Sequence, residues 1–514
     1  MSTPRRVGTE PAAAPPAGAD ARAPVRVLHA GAEIFPLLKT GGLADVLGAL
    51  PVALAAHGCD VRLLLPGYPA LREPLQQVES VCTLGPAFGA ARIEVLLGRL
   101  PGIDLPAYII DAPALYQRAG NPYTDAQSNG WRDNPQRFGL LGWVAAHLGL
   151  GDIDRLWRPQ IVHAHDWHAG LAPAHLALHP QPGCRSVITV HNLAFAGLFP
   201  HHDLATLLLP PESFSPDGLE FHGEGSMLKA ALHYADALTT VSPTYAREIQ
   251  TAEFGCGLEG VIAHRAGRLH GILNGVDTAI WNPATDPHIA APFDAQQPEG
   301  KARCKAALQT ELGLAVRADA PLIGVVSRLT GQKGLDLLLQ AMPALLHEGA
   351  QLALLGSGEA ALEQGFRALA AATPAQVAMA TGYDEARAHR IIAGADIIAV
   401  PSRFEPCGLT QLYGLRYGTL PLVRRVGGLA DTVVDASDAA LRAGSATGIV
   451  FDTASAPALL AAARRALALY RDPPRWRVLM QTAMRQDFSW QRAAGAYAAL
   501  YERLLAPDRS AAPS

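Results

Sequence analysis

Two cations on a glycine-flanked loop are the first residues in this chain whose types and spacing suggest chemistry. The segment SRLTGQKG, residues 327–334, places Arg328 and Lys333 directly after an apolar run. Two fixed cations and free backbone N–H groups suit a diphosphate, and they can replace a metal ion in neutralising a leaving phosphate. The plainer interpretation is a solvated loop with two surface charges, so this loop needs support from other residues.

A carboxylate stands in a comparable place further along the chain. In SRFEPCGLTQLYGL, residues 402–415, Glu405 lies between an apolar run and a helix predicted to begin near Gly408. Its carboxylate can bond sugar hydroxyls near a reacting carbon. The N–H groups of Gly408, Leu409 and Thr410 offer a helix N-terminus to phosphate. A glutamate that only caps a helix is the alternative.

The pentapeptide GGLAD occurs twice, the second time at residues 427–431. In the first copy, Lys39 supplies positive charge just before Gly41 and Gly42, which allow a ligand to approach the backbone. Asp45 then enters the first turn of a predicted helix, where it can simply complement the helix dipole. Because the flanking residues differ, we interpret GGLAD as a loop that opens a helix in each half, not as a duplicated module. The second copy is predicted to lie near the ligand or to be a structural turn.

The segment HAHDWHAG, residues 163–170, has the residue types of a metal site. His163, Asp166 and His168 are all possible ligands, but a binuclear site of the HxHxDH type needs the aspartate one position later. The order HxHDxH therefore favours hydrogen bonding by Asp166 and His168 in a sugar cleft over metal coordination.

Two further motifs have competing interpretations. LGSGEAA, residues 355–361, resembles the GxGxxA dinucleotide fingerprint. The next strand ends in ATGY without the expected acidic residue, which argues against a dehydrogenase. Tyr383 in TGYDE can stack on a base or can equally be a core tyrosine.

The elements that must position these residues follow one pattern, in which short apolar runs alternate with helix-length segments. In the first half the runs lie at residues 25–31, 60–68, 160–166, 186–192, 237–242 and 269–275. After a loop rich in Pro, Asn and Asp, they resume at residues 321–328, 351–358, 375–383, 396–403 and 420–428. Such runs predict parallel sheets covered by helices on both faces, and hence an α/β protein of two doubly wound domains. Because the polar loops follow strands, we expect the two domains to face each other across one deep cleft.

The predicted domain organisation follows from the same pattern. Residues 1–24 are rich in Pro, Ala and Gly and predict a disordered tail. Residues 25–274 and 275–488 form the two α/β domains. An apolar-striped helix at 489–507 is expected to pack back on the first domain, and 508–514 resemble the first tail.

Composition and charge exclude several classes of function. The 514 residues carry a net charge of −4 without a basic block, which argues against nucleic acid as a partner. The longest apolar stretch, residues 138–151, is too short to cross a membrane and predicts a buried helix. Six scattered cysteines without a CxxC motif, and an Arg pair near the N-terminus without a following apolar segment, predict a cytoplasmic protein with reduced thiols. Nothing in the sequence indicates an oligomeric state.

Taken together, the motifs resemble those of the bacterial and plant-plastid glycogen (starch) synthases, which are retaining, metal-independent transferases of the GT-B fold that use ADP-glucose. The resemblance extends from about Val25 to the end of the chain. Seven motifs in family order carry it: KTGGLADVLGALP, HAHDWHAGL, HNLAFAG, NGVD, SRLTGQKG, SRFEPCGLTQLYG and TLPLVRRVGGLADTV. Wider GT-B transferases have a second Glu eight positions after the first, where this chain has Tyr413. That departure favours the synthase branch, whereas Phe195 in the HNLAFAG loop and the long N-terminal tail leave the expected chemistry unchanged.

The resemblance implies roles for individual residues. The diphosphate of the donor would be held by Lys39, Arg328, Lys333 and the amides of Gly408, Leu409 and Thr410, with Gly41 and Gly42 alongside. Tyr383 would stack on adenine, Glu405 would bind the donor glucose, and the main-chain carbonyl of His191 would face the developing oxocarbenium ion. The glucose and acceptor side would be lined by Asp45, Tyr123, Asp166, His168, Asn192 and Asn274. Substitution of Cys407 would perturb activity and not abolish it.

The expected reaction is transfer of glucose from ADP-glucose to the non-reducing-end 4-hydroxyl of an α-1,4-glucan such as glycogen, without a metal or other cofactor. A UDP-sugar transferase of the same fold is the nearest alternative, because nothing in the physics of Tyr383 selects adenine over uracil. A non-catalytic glucan-binding protein and a metallohydrolase are the alternatives from other classes.

Overall fold

Two large sheets, one in each half of the chain, organise the protein. The computed structural model describes residues 23–118, 120–125, 129–179 and 184–507. The predicted tails at 1–24 and 508–514 lie outside these ranges, apart from residues 23 and 24.

The first half of the chain builds a nine-stranded sheet and a small antiparallel one. Its strands are β1 (Arg26–Ala30), β2 (Asp60–Pro66), β3 (Gln76–Leu84), β4 (Ile93–Arg99), β5 (Pro106–Asp111), β6 (Ile161–His165), β7 (Arg185–Val190), β8 (Leu198–Phe199), β9 (Glu220–Phe221), β10 (Glu224–Ser226), β11 (Ala237–Thr240) and β12 (Leu269–Gly271). The large sheet has the order β12-β11-β7-β6-β1-β2-β5-β4-β3, and the small one has the order β8-β10-β9. In the large sheet every pair is parallel except β3 with β4 and β4 with β5.

The second half builds a six-stranded parallel sheet. Its strands are β13 (Leu322–Val326), β14 (Gln351–Leu355), β15 (Val377–Ala380), β16 (Ile397–Val400), β17 (Leu420–Arg424) and β18 (Ile449–Phe451). They lie in the order β15-β14-β13-β16-β17-β18. The order reverses between β13 and β16, which is where a doubly wound sheet opens a crevice at the carboxyl ends of its strands.

Helices cover both faces of the two sheets. They are α1 (Gly42–Ala56), α2 (Pro69–Arg72), α3 (Pro113–Tyr116), α4 (Asn134–Leu150), α5 (Leu171–Leu178), α6 (Met227–Tyr234), α7 (Pro243–Glu248), α8 (Glu259–His264), α9 (Gly300–Glu311), α10 (Leu335–His347), α11 (Ala360–Ala372), α12 (Glu385–Gly394), α13 (Thr410–Arg416), α14 (Gly427–Thr432), α15 (Asp438–Ala443), α16 (Ala456–Tyr470), α17 (Pro473–Met484) and α18 (Trp490–Leu505). Short 3₁₀ turns lie at Trp167–Ala169, His201–Asp203, Pro211–Ser213, Ala266–Arg268 and Gly331–Lys333.

Each sheet has its own hydrophobic core, and α18 belongs to the core of the first sheet. Trp490, Tyr497 and Tyr501 of α18 are buried together with residues of α1, although α18 follows the second sheet in sequence. The chain therefore crosses between the domains twice. The two crossings are paired, because the N–H of Val276 donates to the carbonyl of Phe488 at 2.7 Å.

The predicted fold class, two doubly wound α/β domains, is confirmed, and each apolar run that was predicted as a strand contains one. Sequence analysis missed the antiparallel edge formed by β3 and β4. The residues of β3 are mostly exposed, with charged and polar side chains, so they lack the apolar run by which a buried strand is recognised. It also missed β5, which is parallel to β2.

Candidate active site

The loop between β1 and α1 brings Lys39 to the cleft between the domains. The Lys39 ammonium lies 2.9 Å from Asp45 Oδ1 on the first turn of α1. Across the cleft it lies 3.4 Å from Tyr383 Oη and 3.8 Å from a carboxylate oxygen of Glu385, both on the second domain. Burial raises the pKa of Asp45 to about 6, although the neighbouring Lys39 lowers it. The two domains thus share one ionic cluster at the rim of the cleft.

A buried carboxylate that sequence analysis overlooked holds the Lys39 loop in place. Glu33, which is 3% exposed, accepts hydrogen bonds from the backbone N–H groups of Thr40 and Gly41 at 2.5 and 3.2 Å. It also accepts bonds from the Thr40 hydroxyl at 2.7 Å and the Tyr123 hydroxyl at 2.5 Å. Its signal in the sequence was an acidic residue three positions after the end of β1, in GAEIF.

The two glycines of the first GGLAD copy leave room beside the backbone. A Cβ atom at Gly41 would meet no heavy atom within 4 Å, and one at Gly42 would only reach Leu409 of the second domain at 3.7 Å. Neither glycine has a positive φ. The protein's own packing therefore does not require glycine here, which agrees with a ligand that approaches this backbone.

On the second domain, Lys333 and Glu405 form an ion pair at the crevice between β13 and β16. Lys333 Nζ lies 2.6 Å from Glu405 Oε2, and the Ser402 hydroxyl donates to the same oxygen at 2.8 Å. Glu405 is only 6% exposed. The residues that line the cavity around this pair include Gly408, Leu409 and Thr410. The structure thus brings together the predicted cation, the predicted carboxylate and the predicted amides.

Arg328 lies on the same loop but is oriented differently. It is exposed, and its guanidinium makes no hydrogen bond or ion pair with any part of the chain that the structure describes. A cation that is not neutralised by the protein remains available to an anionic ligand.

The motif LGSGEAA supports this cationic loop and does not form a dinucleotide turn. A Cβ atom at Gly356 would lie 1.9 Å from the carbonyl oxygen of Ser327, and one at Gly358 would lie 2.2 Å from that of Leu329. Glu359 accepts the N–H of Gly331 at 2.8 Å. Close packing against the SRLTGQKG loop therefore explains why Gly356 and Gly358 are glycines. No dinucleotide-binding turn is needed to explain them.

The predicted helix after Glu405 begins two residues later than expected. Helix α13 starts at Thr410, because Gly408 has φ +72° and Leu409 is the N-cap residue. The side chain of Gln411 donates back to the carbonyl oxygens of Cys407 and Gly408 at 3.0 and 2.9 Å.

The second GGLAD copy is a support for the Glu405 loop. Gly428 N–H donates to the carbonyl oxygen of Glu405 at 3.1 Å, and Gly427 has φ +45°. A Cβ atom at Gly427 would lie 2.0 Å from that same carbonyl oxygen. This copy is thus a structural turn that packs against the Glu405 loop, and its proximity to a ligand stays a prediction.

The same segment also contacts the first domain. Asp431 accepts hydrogen bonds from the N–H and the hydroxyl of Thr244, both at 2.7 Å. Glu248 accepts the N–H of Gly427 at 3.0 Å, and the Ser242 hydroxyl donates to the carbonyl of Pro406 at 2.7 Å. These contacts join α7 and its N-cap residue Ser242 to α14 and the Glu405 loop. None of them was predicted from the sequence, and they tie the Glu405 loop to the opposite domain.

Asp166 has the most unusual backbone of the predicted site residues. Its φ is +54° with ψ −173°, a region that only glycine adopts readily. Its carboxylate accepts the backbone N–H groups of His191 at 2.7 Å and Asn192 at 3.4 Å. Burial raises the pKa of Asp166 to about 7, although these two hydrogen bonds lower it. A strained residue that fixes the following loop is common at functional sites.

His168 and Asn274, which are also predicted for the acceptor side, are both buried. The His168 ring stacks on Tyr123 with centroids 4.7 Å apart, and burial lowers the pKa of His168 to about 3. Its Nδ1 is buried without a protein partner among the described residues. Asn274 is buried next to the similarly buried Cys407, whose pKa burial raises to about 12.

His163 takes no part in a site with Asp166, because its side chain lies in the core of the first domain. Its ring nitrogens lie 2.7 Å from Tyr501 Oη and 2.6 Å from Thr189 Oγ1. His29, His163 and His165 have ring nitrogens within 4.8 Å of one another, but both nitrogens of His163 are already engaged by hydroxyls. This arrangement is that of a hydrogen-bonded core and offers no support for a binuclear hydrolase centre.

Comparison with known proteins places this geometry in a family. The family model described as Starch synthase catalytic domain matches residues 26–264, and that described as Glycosyl transferases group 1 matches residues 313–478. A glycogen synthase from Serratia proteamaculans is 56% identical over 482 residues, which cover 93% of this chain and 100% of the relative. One from Leptothrix cholodnii is 55% identical over 489 residues, which cover 94% and 100%. The chain belongs to the glycogen (starch) synthase family.

Solved structures agree with membership of the glycogen synthase family. The catalytic domain of starch synthase IV from Arabidopsis thaliana, bound to ADP and acarbose, superposes with a TM-score of 0.84 at 32% identity, covering 94% of this chain and 99% of that one. A sucrose-phosphate synthase from Thermosynechococcus elongatus, at 19% identity and a TM-score of 0.55, shares the fold alone. This member of the glycogen synthase family is a glycosyltransferase with the GT-B fold, as predicted. Among the described residues, none of its helices has the length and apolar character to span a membrane.

Proposed function

We propose that the protein transfers glucose from ADP-glucose to the non-reducing-end 4-hydroxyl of an α-1,4-glucan, with retention of the α configuration. The observation that carries this proposal is the Lys333–Glu405 pair, whose charged atoms lie 2.6 Å apart. Arg328 on the same loop is exposed and has no ion-pair partner among the described residues. Close relatives that are named glycogen synthase, and a structural neighbour that carries ADP and acarbose, support the choice of donor and acceptor.

The donor would bind mainly to the second domain. Its diphosphate would take Lys333 away from Glu405 and engage Arg328, with the amides of Gly408, Leu409 and Thr410 nearby. Glu405, still held by the Ser402 hydroxyl, would then be free to accept hydroxyl groups of the glucose. Because the ligand replaces the ion pair, Lys333 and Glu405 each have a polar partner both in the empty and in the occupied protein.

The reaction itself would depend on fixed charge. The bond from C1 of glucose to the diphosphate oxygen breaks as the bond from C1 to the acceptor O4 forms on the same face. The acceptor proton passes to the departing diphosphate. Arg328, Lys333 and Lys39 would stabilise the charge that develops on the diphosphate, which makes catalysis mainly electrostatic and positional. We propose that no metal ion takes part.

One assay tests the donor, the acceptor and the metal. Release of nucleotide from ADP-glucose and from UDP-glucose is measured with and without glycogen, before and after thorough chelation. We expect glycogen-dependent release of ADP that chelation leaves unchanged. Faster release from UDP-glucose would show that the donor is wrong. Loss of activity on chelation, with recovery on addition of magnesium or zinc, would show that the cations do not replace a metal.

A further inference from the structure

A row of buried imidazoles connects the cleft to the core of the first domain. His29 on β1 and His165 on β6 are both 0% exposed, and His191 directly follows β7. His29 Nδ1 lies 3.0 Å from His165 Nε2, and His165 Nδ1 lies 3.0 Å from His191 Nε2. We call these three residues the imidazole row. Its outer end is the residue that the family resemblance places beside the donor sugar.

Each ring of the imidazole row is neutral. Burial lowers the pKa of His29 and of His191 to about 3. Burial, together with the neighbouring imidazoles, lowers the pKa of His165 well below its ordinary value. A neutral imidazole carries one N–H donor and one bare nitrogen. Three such rings can therefore be hydrogen-bonded in two ways only, with every N–H directed toward the cleft or every N–H directed toward the core.

The inner end of the row selects between these two directions. His29 Nε2 is buried, and no group in the described part of the chain reaches it. If the N–H groups were directed toward the core, this nitrogen would carry a proton with no protein acceptor. If they are directed toward the cleft, it is only a bare nitrogen. A buried donor without an acceptor is the rarer and costlier of the two.

The direction toward the cleft fixes the tautomer of His191. His165 Nδ1–H then donates to His191 Nε2, so the single proton of His191 lies on Nδ1. That nitrogen has no hydrogen-bond partner among the described residues, and unlike His29 Nε2 it is not sealed from solvent. The backbone of His191 is held independently by the Asp166 carboxylate at 2.7 Å.

We propose that His165 and His29 are positioning residues that hold His191 in the Nδ1–H tautomer, so that it presents an N–H donor to a hydroxyl or ether oxygen of the sugar in the cleft. The identity of that sugar rests on the proposed function, but the tautomer does not. The position of the ring proton of His191 would thus be fixed before substrate binds, by residues that do not contact the substrate.

His163 provides a matched control within the same strand. Its ring is also 0% exposed and stacks on His165 with centroids 4.3 Å apart. Its nitrogens, however, bond Tyr501 and Thr189 and not His191. Loss of a buried histidine at 163 should therefore disturb the core without changing the tautomer of His191.

The first experiment reads the tautomer directly in the whole protein. Histidines are labelled with nitrogen-15, the His191 signals are assigned by their loss in His191→Gln, and the ring nitrogen shifts are measured without ligand. We expect Nδ1 to have the shift of a protonated nitrogen and Nε2 that of a bare one. The opposite assignment would overturn the proposal. Because no substrate is present, this result stands whether or not ADP-glucose is the donor.

The second experiment compares two substitutions that differ by one methylene. The amide nitrogen of His165→Asn can take the place of Nδ1 and still donate to His191, whereas His165→Gln places its amide near the former Nε2. We expect His165→Gln to lower kcat about tenfold with little change in the KM for glycogen, and to mix the tautomers of His191. His165→Asn and His163→Gln should keep both the tautomer and most of kcat. An equal loss of kcat in all three variants would show that these histidines only stabilise the core.

Discussion

The ammonium of Lys39, on the first domain, lies 3.4 Å from the phenol oxygen of Tyr383 on the second. Lys39 is also paired with Asp45 and lies close to Glu385, so the protein itself partly neutralises this cation in the absence of ligand. A nucleotide diphosphate entering the cleft would exchange these carboxylates for phosphate oxygens. At the position of this contact, residues of both domains can therefore bind the same donor molecule.

Replacement of Lys39 by Ala should weaken donor binding and leave the fold intact. The ion pairs of Lys39 are partly solvated and contribute at most about 1 kcal/mol to stability. The KM for the nucleotide sugar should rise at least tenfold, while the unfolding temperature should change little. Steady-state kinetics and thermal unfolding check both. Arg317→Ala, which removes an exposed cation paired with Asp319, is the control and should change neither.

Arg328→Ala and Lys333→Ala should both lower turnover by orders of magnitude, but only the second should destabilise the protein. Arg328 is exposed and unpaired in the described structure, whereas removal of Lys333 leaves the buried Glu405 carboxylate without its cation. Loss of this cation should lower the free energy of unfolding by on the order of 2 kcal/mol. Chemical denaturation and kcat measurements distinguish the two effects.

A double variant separates the stabilising role of the Lys333–Glu405 pair from its catalytic role. Lys333→Met with Glu405→Gln removes both charges, so stability should recover relative to Lys333→Ala. Activity should not recover, because neither the diphosphate nor the sugar then has its partner. If the double variant turned over substrate at a rate near that of the parent, neither residue would belong to the mechanism.

Asp166→Asn should make stability less dependent on pH. The folded pKa of Asp166 is about 7, above its ordinary 3.8, so the folded state favours the protonated acid. The contribution of this group to stability is complete below about pH 4 and is lost as the pH rises to 7, at about 1.4 kcal/mol per pH unit. Asparagine keeps the oxygen that accepts the N–H groups of His191 and Asn192. The variant should therefore gain stability over the parent between pH 5 and 7.

Unfolding free energies of parent and variant from pH 5 to pH 8.5 measure this difference. It should grow up to about pH 7 and then stay constant. Asp104→Asn is the control, because Asp104 is fully exposed and its substitution should produce no such trend. A difference between Asp166→Asn and the parent that is the same at every pH would mean that Asp166 is ionised throughout.

The first glycines of the two GGLAD copies should respond differently to alanine. At Gly427 the new Cβ would lie 2.0 Å from the carbonyl oxygen of Glu405, on a residue with positive φ. Gly427→Ala should therefore lower both the unfolding temperature and kcat, the latter by more than tenfold. Gly41→Ala adds a methyl group to open space and should leave the unfolding temperature unchanged. An increase in the donor KM for Gly41→Ala would show that ligand occupies that space.

The loops singled out in the sequence come together in the structure, and each could be recognised because it is a glycine- and charge-rich segment after an apolar strand. What the sequence could not predict are contacts between segments distant in the chain. The bonds of Asp431 to Thr244 and of His163 to Tyr501 depend on how the two domains and α18 come together. Nothing in the local pattern of either partner indicates the other.

His163 shows why residues of one motif can separate in the structure. His163 and His165 lie two positions apart in β6, so they are on the same face of the sheet, and that face is covered by α18. Asp166 and His168 lie beyond the strand end, at the cleft. The polar residues of this one motif are therefore divided between the core and the site.

Helix α18 has a consequence for how the protein is made. Its tyrosines and Trp490 fill the core of a domain whose last strand ends at Gly271. During synthesis, that domain emerges from the ribosome before α18. The apolar surface that α18 covers therefore stays exposed until the whole second domain has been translated. The first domain can therefore complete its core only after α18 has been synthesised. Chaperones that shield apolar surface would act on it during that interval.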